Sequence, residues 1–385
     1  MGRPARIVYP SILRVGRPKG RKDAFLMPSE AEIRDYVSSL DEREFRCLEN
    51  EAKRRECREK LGFADMEALA ERLGRKPICP MCGCIDHTLE GREADGSKRY
   101  RCKGCGSRYS LLSGSVLSGA KTELWQWHLM IKLMSFNVPL DLIAEVAGVH
   151  HNTALLMRRK LFETASLWQS KVILRDVVWI DEIYDFDSAR PKNHFGPNRR
   201  GLSKDKCCVF VAIDHYKNMV AFFVGHGLPT SSEIKGAIIP HLEKGAGVTI
   251  IHDGLHSHAD AIDEAKAKDE IHKSTCRDAG SLRAMLLADS FCSWIQRYLS
   301  RFTGMDTEYL QDYLNWFVYL FRCKESDEKW PEDERVMRHV ILDRTTLTRS
   351  MVRKKRAESR ARIEGRRASS GGKKSTEQAK RRNQK

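Results

Sequence analysis

The spacing of apolar and polar positions predicts helices over residues 29–75, with Ser29 as an N-cap ahead of Glu30 and Glu32. Residues 76–118 break this rhythm: they are rich in Gly and Cys and read as short strands. Helical periodicity returns over 122–170. From Val172 the pattern changes again, to short apolar runs bounded by turn residues at 174–186, 206–216, 219–226 and 248–251. A helical stretch, Ser231–Ile239, lies between the last two runs. Residues 281 to 323 are helical in pattern and strongly apolar, with Trp316–Phe321 among the longest apolar runs. No run approaches the roughly 18 residues of a membrane span, and the first residues carry no signal-peptide pattern. There is no internal repeat. The expectation is a soluble, cytoplasmic chain of several domains.

Charge sharpens this picture through its placement. The chain of 385 residues has a formal net charge of +16. Residues 1–25 contribute +6 and residues 351–385 contribute +11, which leaves 26–350 at −1. Two basic arms on a near-neutral body point to a polyanionic partner, nucleic acid above all, although a solubilising tail has the same composition. Arm 1–25, punctuated by Pro and Gly, and tail 351–385, which includes Ser369-Ser370-Gly371-Gly372, are expected to be flexible.

Four of the 12 cysteines form two Cys-x2-Cys knuckles, Cys79/Cys82 and Cys102/Cys105, with 19 residues between them. Two such turns supply the four soft ligands that tetrahedral zinc requires, and a closed four-cysteine site is structural rather than catalytic. Cys84 and His87 are spare. The remaining cysteines, including Cys292, read as reduced core thiols.

Behind this zinc ribbon, Val138–Ala147 is amphipathic, Gly148 breaks it, and Asn152 or Thr153 caps a second helix. That is a helix-turn-helix pattern, whose second helix offers Asn152, Arg158, Arg159 and Lys160 to DNA; an ordinary packed helix pair gives the same periodicity. Near the N-terminus, Gly16-Arg17-Pro18-Lys19-Gly20-Arg21-Lys22 resembles an AT-hook, with Arg17, Lys19 and Arg21 directed to a minor groove, though Val15 stands where the core motif has Arg.

Carboxylates mark the second half. Val177-Val178-Trp179-Ile180-Asp181-Glu182 is a buried-type strand reaching acids, and Val248–Ile251 is a second strand followed by His252-Asp253-Gly254. Between them lie a hairpin and a helix. Strand, hairpin, helix, strand is the order of an RNase H-like sheet, which would set Asp181 beside Asp253, with Asp289 supplied by a later helix. Three such acids fit paired Mg²⁺ ions and phosphoryl transfer on DNA. Lone strand-end acids are more often turn or cap residues, and Asp214 is read as one. His252, His256 and His258 are read as supporting or DNA-facing groups rather than as a metal box.

In order, Cys79–Gly83, Tyr100–Cys105, Ser113–Ser115, Trp125 or Trp127, Thr153-Ala154 with Arg158 and Lys160, Ile180–Glu182, Asp253-Gly254, Asp289-Ser290, Arg297 and Tyr309–Trp316 resemble the zinc-ribbon-bearing insertion-sequence transposases of bacteria and archaea, the ISXO-like family. The resemblance runs from about Cys79 to Phe321. It implies a multidomain chain: helical N-terminal region (26–75), zinc ribbon (76–118), helix-turn-helix (119–171), α/β RNase H-like catalytic domain (172–323) and C-terminal extension (324–350). It also implies structural Zn²⁺, catalytic Mg²⁺ on Asp181, Asp253 and Asp289, and double-stranded DNA as partner, both element ends and target. A homodimer or larger assembly on chromosomal DNA is expected by analogy. Two departures stand out. The third acid is Asp289 where many members have Asn or Glu, and Gln296 occupies the position of a usual Lys, with Arg297 beside it as a substitute contact. Gln296 keeps open a decayed, DNA-binding regulator, and a nuclease that cuts without joining is a third reading.

Overall fold

A computed structural model describes residues 29–63, 65–93, 96–186, 206–245, 247–273, 279–302, 305–325 and 331–361. The chain divides into two compact units, Met1–Arg55 and Glu56–Lys385. In the first, α1 (Glu30–Ser39) starts at the expected cap. The Ser29 side chain accepts from Glu32 N, and the Ser29 N–H donates to Glu32 Oε2 at 2.8 Å, a reciprocal capping box.

The second unit is organised by five strands: β4 (Val177–Phe186), β5 (Lys206–Asp214), β6 (Met219–His226), β7 (Thr249–His252) and β8 (Lys268–Ile271). Their order is β6-β5-β4-β7-β8. The first three are antiparallel neighbours, and β7 and β8 run parallel to β4. The β5–β6 turn is locked by Asp214, which is fully buried: its Oδ1 accepts from Asn218 N (2.7 Å) and its Oδ2 from Arg175 N (3.1 Å). The turn reading of that acid therefore holds. β8 was not expected. Its sequence, Lys268-Asp269-Glu270-Ile271, is charged because it forms the sheet edge.

Helices cover both faces, which is why β5 and β6 are buried almost end to end. One face, around Val178, Ile180, Phe210 and Val220, packs with Ile234 of α7 (Ser231–Ile238) and Ile262 of α8 (Ala259–Ala265). The other, around Ile183, Val209 and Val211, packs with α9 (Ala279–Leu299) and α10 (Leu310–Glu325) through Phe291, Ile295, Leu314 and Trp316.

The same core continues into elements of the second unit before and after the sheet. It includes Trp127 and Ile131 of α4 (Leu124–Ser135), Ile143 of α5 (Leu140–Val146) and Leu161 of α6 (His151–Gln169). It also takes Leu69 of α3 (Met66–Arg72) and Val336, Val340 and Ile341 of α11 (Glu332–Leu342). Tyr100 and Tyr109 join it from a three-stranded ribbon, β1 (His87–Arg92), β2 (Lys98–Cys102) and β3 (Arg108–Ser110). Arg75, buried, donates to the Leu111 carbonyl (2.9 Å) and the Ile341 carbonyl (2.5 Å), so segments far apart in sequence close on one guanidinium.

Two local expectations change. The cap of α6 is His150, whose Nδ1 accepts from Asn152 N at 3.1 Å, rather than Asn152 or Thr153. And the tail expected to be flexible from 351 is helical over 349–361. Glu308, its side chain 6% exposed, accepts from Arg356 Nε (2.8 Å) and Arg360 Nε (2.5 Å), and Lys355 pairs with Glu163. Arg356 and Arg360 are four apart, so one helical face presents both guanidiniums to one carboxylate. No described helix is long and apolar enough to cross a membrane.

Candidate metal centres and nucleic-acid interface

The two cysteine knuckles are near copies. In each, the first Cys carbonyl accepts from a Gly N–H four residues on, Gly83 (2.9 Å) and Gly106 (3.0 Å), both at left-handed φ of 72° and 73°. In each, the first Cys N–H donates to a carbonyl five residues on, Cys84 (3.0 Å) and Ser107 (2.9 Å). The hairpin β1–β2 brings the copies together. Sγ of Cys79 lies 3.5 Å from Sγ of Cys105, Sγ of Cys82 lies 3.5 Å from Sγ of Cys102, and all four sulfurs fall within 4.8 Å of one another. A tetrahedron with metal–sulfur bonds of about 2.3 Å has edges of about 3.8 Å, so the donor set fits zinc. The Cys105 thiol is lowered to about 6, first by the Ser107 hydroxyl and backbone, whereas Cys82 in the same cluster is raised to about 12, so the donor geometry and not the thiol acidities carries the metal fit. Cys84 packs where a Cβ on Gly104 would come within 3.3 Å, and it is not among the four ligands.

The acids occupy the sheet. Asp181 lies on β4 facing α9: Trp179, two residues before it, donates its indole N–H to the Ala284 carbonyl (2.6 Å), and the Cys292 thiol meets Asp181 Oδ2 at 3.3 Å. Pairing of Val177 with Thr249 and Trp179 with Ile251 sets β7 in parallel register, so Asp253 follows β7 two residues past Ile251, as Asp181 follows Trp179. Asp289 stands on α9 one turn before Cys292. Burial raises the Asp181 carboxyl to about 6. The charges of Glu182 and Asp253 add to this, against hydrogen bonds from the Glu182 N–H (2.8 Å) and the Cys292 thiol. Burial also raises Asp289. A carboxylate disfavoured by burial and by a second carboxylate is one that gains by holding a cation.

After Asp253 the chain turns at Gly254, with φ 89°; a Cβ there would meet Ile271 Cγ2 at 2.9 Å, so glycine is required. Leu255 N–H donates to Asp253 Oδ1 (3.0 Å), which fixes that side chain.

Behind the acids runs a connected network in which His252 and His258 take the supporting role read from the sequence, with partners, Glu182 and Asp269, that the sequence did not indicate. Glu182, the neighbour of Asp181, points to the opposite face, where its buried Oε1 meets His258 Nε2 at 2.5 Å. His258 Nδ1 meets His252 Nδ1 at 2.9 Å, and His252 Nε2 meets Asp269 Oδ1 at 2.9 Å. Gly254 N–H also donates to His252 Nδ1 (3.2 Å), so the proton between the two rings belongs to His258. Through Glu182, His258, His252 and Asp269 the strands β4, β7 and β8 are tied together beside Asp181 and Asp253. His252, Asp253 and His258 do present donor atoms within 4.8 Å of one another. The 2.9 Å separation of the two Nδ1 atoms is a hydrogen-bond distance. Of the three histidines, His252 and His258 are buried and only His256 faces solvent, so the first two are not DNA-facing.

The DNA contacts read on the second helix divide sharply. Asn152 is exposed at the first turn of α6. Arg158 lies over the Tyr313 ring (5.6 Å) of α10, and Arg159 donates to the Tyr309 hydroxyl (3.2 Å) in the turn just before α10. Lys160 is buried at 8% exposure, 6.0 Å from the Trp127 ring, and burial lowers its ammonium, which removes it from a DNA-facing surface. Alternation fails here because a helix packed between α4 and α10 buries more than one stripe. Gln296 and Arg297 are exposed on α9. Arg17, Lys19 and Arg21 lie outside the described residues.

No protein-family profile matches the chain, and no curated protein matches it. Among solved structures, a pre-cleavage Mos1 transpososome aligns at 14% identity over 50% of this chain and 74% of that chain, with a TM-score of 0.19. The Mos1 strand transfer complex aligns at 15% identity over 53% and 79%, with a TM-score of 0.20. The Mos1 mariner paired end complex with Mn aligns at 15% identity over 52% and 78%, also at 0.20. Likeness at this level establishes no family, and the functional reading rests on the chain's own residues.

Proposed function

We propose that the chain is a DDE-type DNA transposase, a metal-dependent phosphoryl-transfer enzyme that binds terminal inverted repeats of an insertion sequence and cuts and joins DNA. One observation carries this reading: Asp181 sits in mid-sheet, pushed up to about 6, beside the strand end that bears Asp253 and against the helix that bears Asp289. The sheet order supports it, since three antiparallel strands followed by two parallel ones is the RNase H-like arrangement.

In this reading Asp181, Asp253 and Asp289 hold Mg²⁺. Magnesium, when bound, activates the attacking oxygen and stabilises the leaving one. The protein's own part is orientation. Cys292 and the Glu182 N–H aim Asp181, the Leu255 N–H aims Asp253, and the paired histidines hold the strands beneath them. Gln296 and Arg297 extend along α9 from Asp289 toward the flanking phosphates. Zinc on Cys79, Cys82, Cys102 and Cys105 is structural, and Asn152, with the arm at Arg17, Lys19 and Arg21, contacts DNA. The working state is a homodimer or larger assembly on chromosomal DNA in the cytoplasm.

Gln296 favours one alternative, a regulator that binds DNA and no longer cuts it, because an amide replaces the cation expected beside the metals. The deciding assay incubates DNA flanking the gene with wild type and Asp253→Asn in Mg²⁺. Nicks at defined repeats by wild type alone support the transposase. Specific binding without nicks in Mg²⁺ or Mn²⁺ supports the regulator.

A further inference from the structure

Between α9, α10 and the end of α4 lies a half-open cleft of about 530 Å³. Its size is that of a small-ligand pocket. Its lining pairs two chemistries. Trp294, Phe321 and Phe136 supply ring faces, with Trp294 and Phe321 5.7 Å apart at 33°. Phe136 is 69% exposed and Trp294 38%, high values for side chains of their size. Arg297, Arg301 and Lys324 supply positive charge, and among the described residues no carboxylate lines the cleft. Among the described residues Lys324 has only a long contact with Glu332, 3.8 Å. Arg297 donates to its own helix at Ser293 O (3.3 Å), and Arg301 has no ion pair among the described residues. Three like charges around open ring faces suit a ligand that is flat and anionic.

The position of the cleft narrows the ligand further. Trp294 and Arg297 follow Asp289 on α9 by five and eight residues, and Arg301 lies two residues past the end of that helix. At 1.5 Å and 100° per residue the first two lie roughly 7–12 Å along the axis and about 80–140° around it. With about 3.4 Å per nucleotide along a DNA strand, that reach is about two to four nucleotides from a phosphate held at Asp289.

We propose that this cleft takes one unpaired nucleotide of the DNA strand, its base against Trp294 and Phe321 and its phosphate on Arg301 and Arg297. Ring faces accept any base, and guanidinium forks match phosphate geometry. The strand assignment rests on the transposase reading; the affinity of the cleft for a nucleotide does not.

The test uses the full chain and a single-stranded thymidine octamer with one central 2-aminopurine, whose fluorescence falls when it stacks. Wild type is expected to quench the probe on binding. Trp294→Ala should abolish quenching, Trp294→Phe should restore it, and Arg301→Glu should weaken affinity roughly tenfold or more and flatten its salt dependence. Equal quenching and affinity in all four proteins, with unchanged melting temperatures, would overturn the cleft and leave binding to the basic arms. Loss of cleavage in every DNA assay alongside intact quenching would sink the transposase reading and leave the cleft standing.

Discussion

The two candidate metal centres are assembled in opposite ways. The cysteine site closes locally: its sulfurs come from positions at most 26 apart, on two turns of one hairpin with the same hydrogen bonds. The acidic site is non-local. Asp181 meets the α9 thiol of Cys292 across 111 positions, and Asp181, Asp253 and Asp289 come from three separate elements that must dock on one another. A metal bound at the first site would organise it, whereas the second is organised by the fold. A cation at the first would hold a small ribbon together, whereas at the second Asp181 is held in place although burial and the charges of Glu182 and Asp253 disfavour its carboxylate.

The largest effect expected from this contrast is at the ribbon. Cys102→Ser, or chelation of wild type, should remove one zinc per chain and destabilise the protein by several kcal/mol or more, given about 10–16 kcal/mol for structural zinc in small domains. Tyr100 and Tyr109 belong to the main core, so the loss should reach beyond the ribbon. Elemental analysis with calorimetry checks this; a zinc-free chain that melts at the wild-type temperature would dissolve the comparison.

At the acidic site the expectation reverses. Asp181→Asn should lower cleavage by several kcal/mol of transition-state stabilisation, on the order of a thousandfold, yet stabilise the metal-free protein. The sign follows from the raised carboxyl. Above about pH 6 the folded state holds an unfavourable charge, and as pH falls from about 6 toward the ordinary aspartate value of 3.8 that penalty disappears. This rise corresponds to about 3 kcal/mol at neutral pH, and Asp181→Asn should recover part of it. Denaturant titrations of both proteins from pH 4 to 8, without metal, should diverge as pH rises. Parallel curves would mean that Asp181 is not under electrostatic stress.

A smaller effect separates the residues of α6. Asn152→Ala should weaken specific DNA binding by about 1–2 kcal/mol. Lys160→Met should leave binding unchanged and hold or raise stability by up to about 1 kcal/mol, since the ammonium is buried. A fall in affinity with Lys160→Met would return that residue to the interface. The smallest effect belongs to the tail. Glu308→Gln should loosen the helix at 349–361 by about 1 kcal/mol, read as faster proteolysis there. Truncation after 361 should flatten the salt dependence of DNA binding without touching that helix.

Local signals were legible wherever chemistry and spacing coincide within a few residues. The capping box at Ser29, the paired knuckles, the strand limits of β5 and β6 and the turn at Asp214 all follow from short-range geometry. The His258–Glu182 contact was not legible, because Glu182 looks like an exposed alternate on its strand until a helix-side histidine covers it. Cys292 looked like any buried thiol until α9 was laid on β4.

The sequence by itself determined most element types, the candidate metal ligands and the candidate acids, since periodicity, capping and knuckle spacing are written within one or two turns of chain; β8 and the helix at 349–361 lay beyond it. Tertiary structure decided which acid faces which, which basic residues reach solvent and where the C-terminal segment docks. Those outcomes depend on which faces are buried when helices close over both sides of the sheet, and burial sets both the raised Asp181 carboxyl and the withdrawal of Lys160.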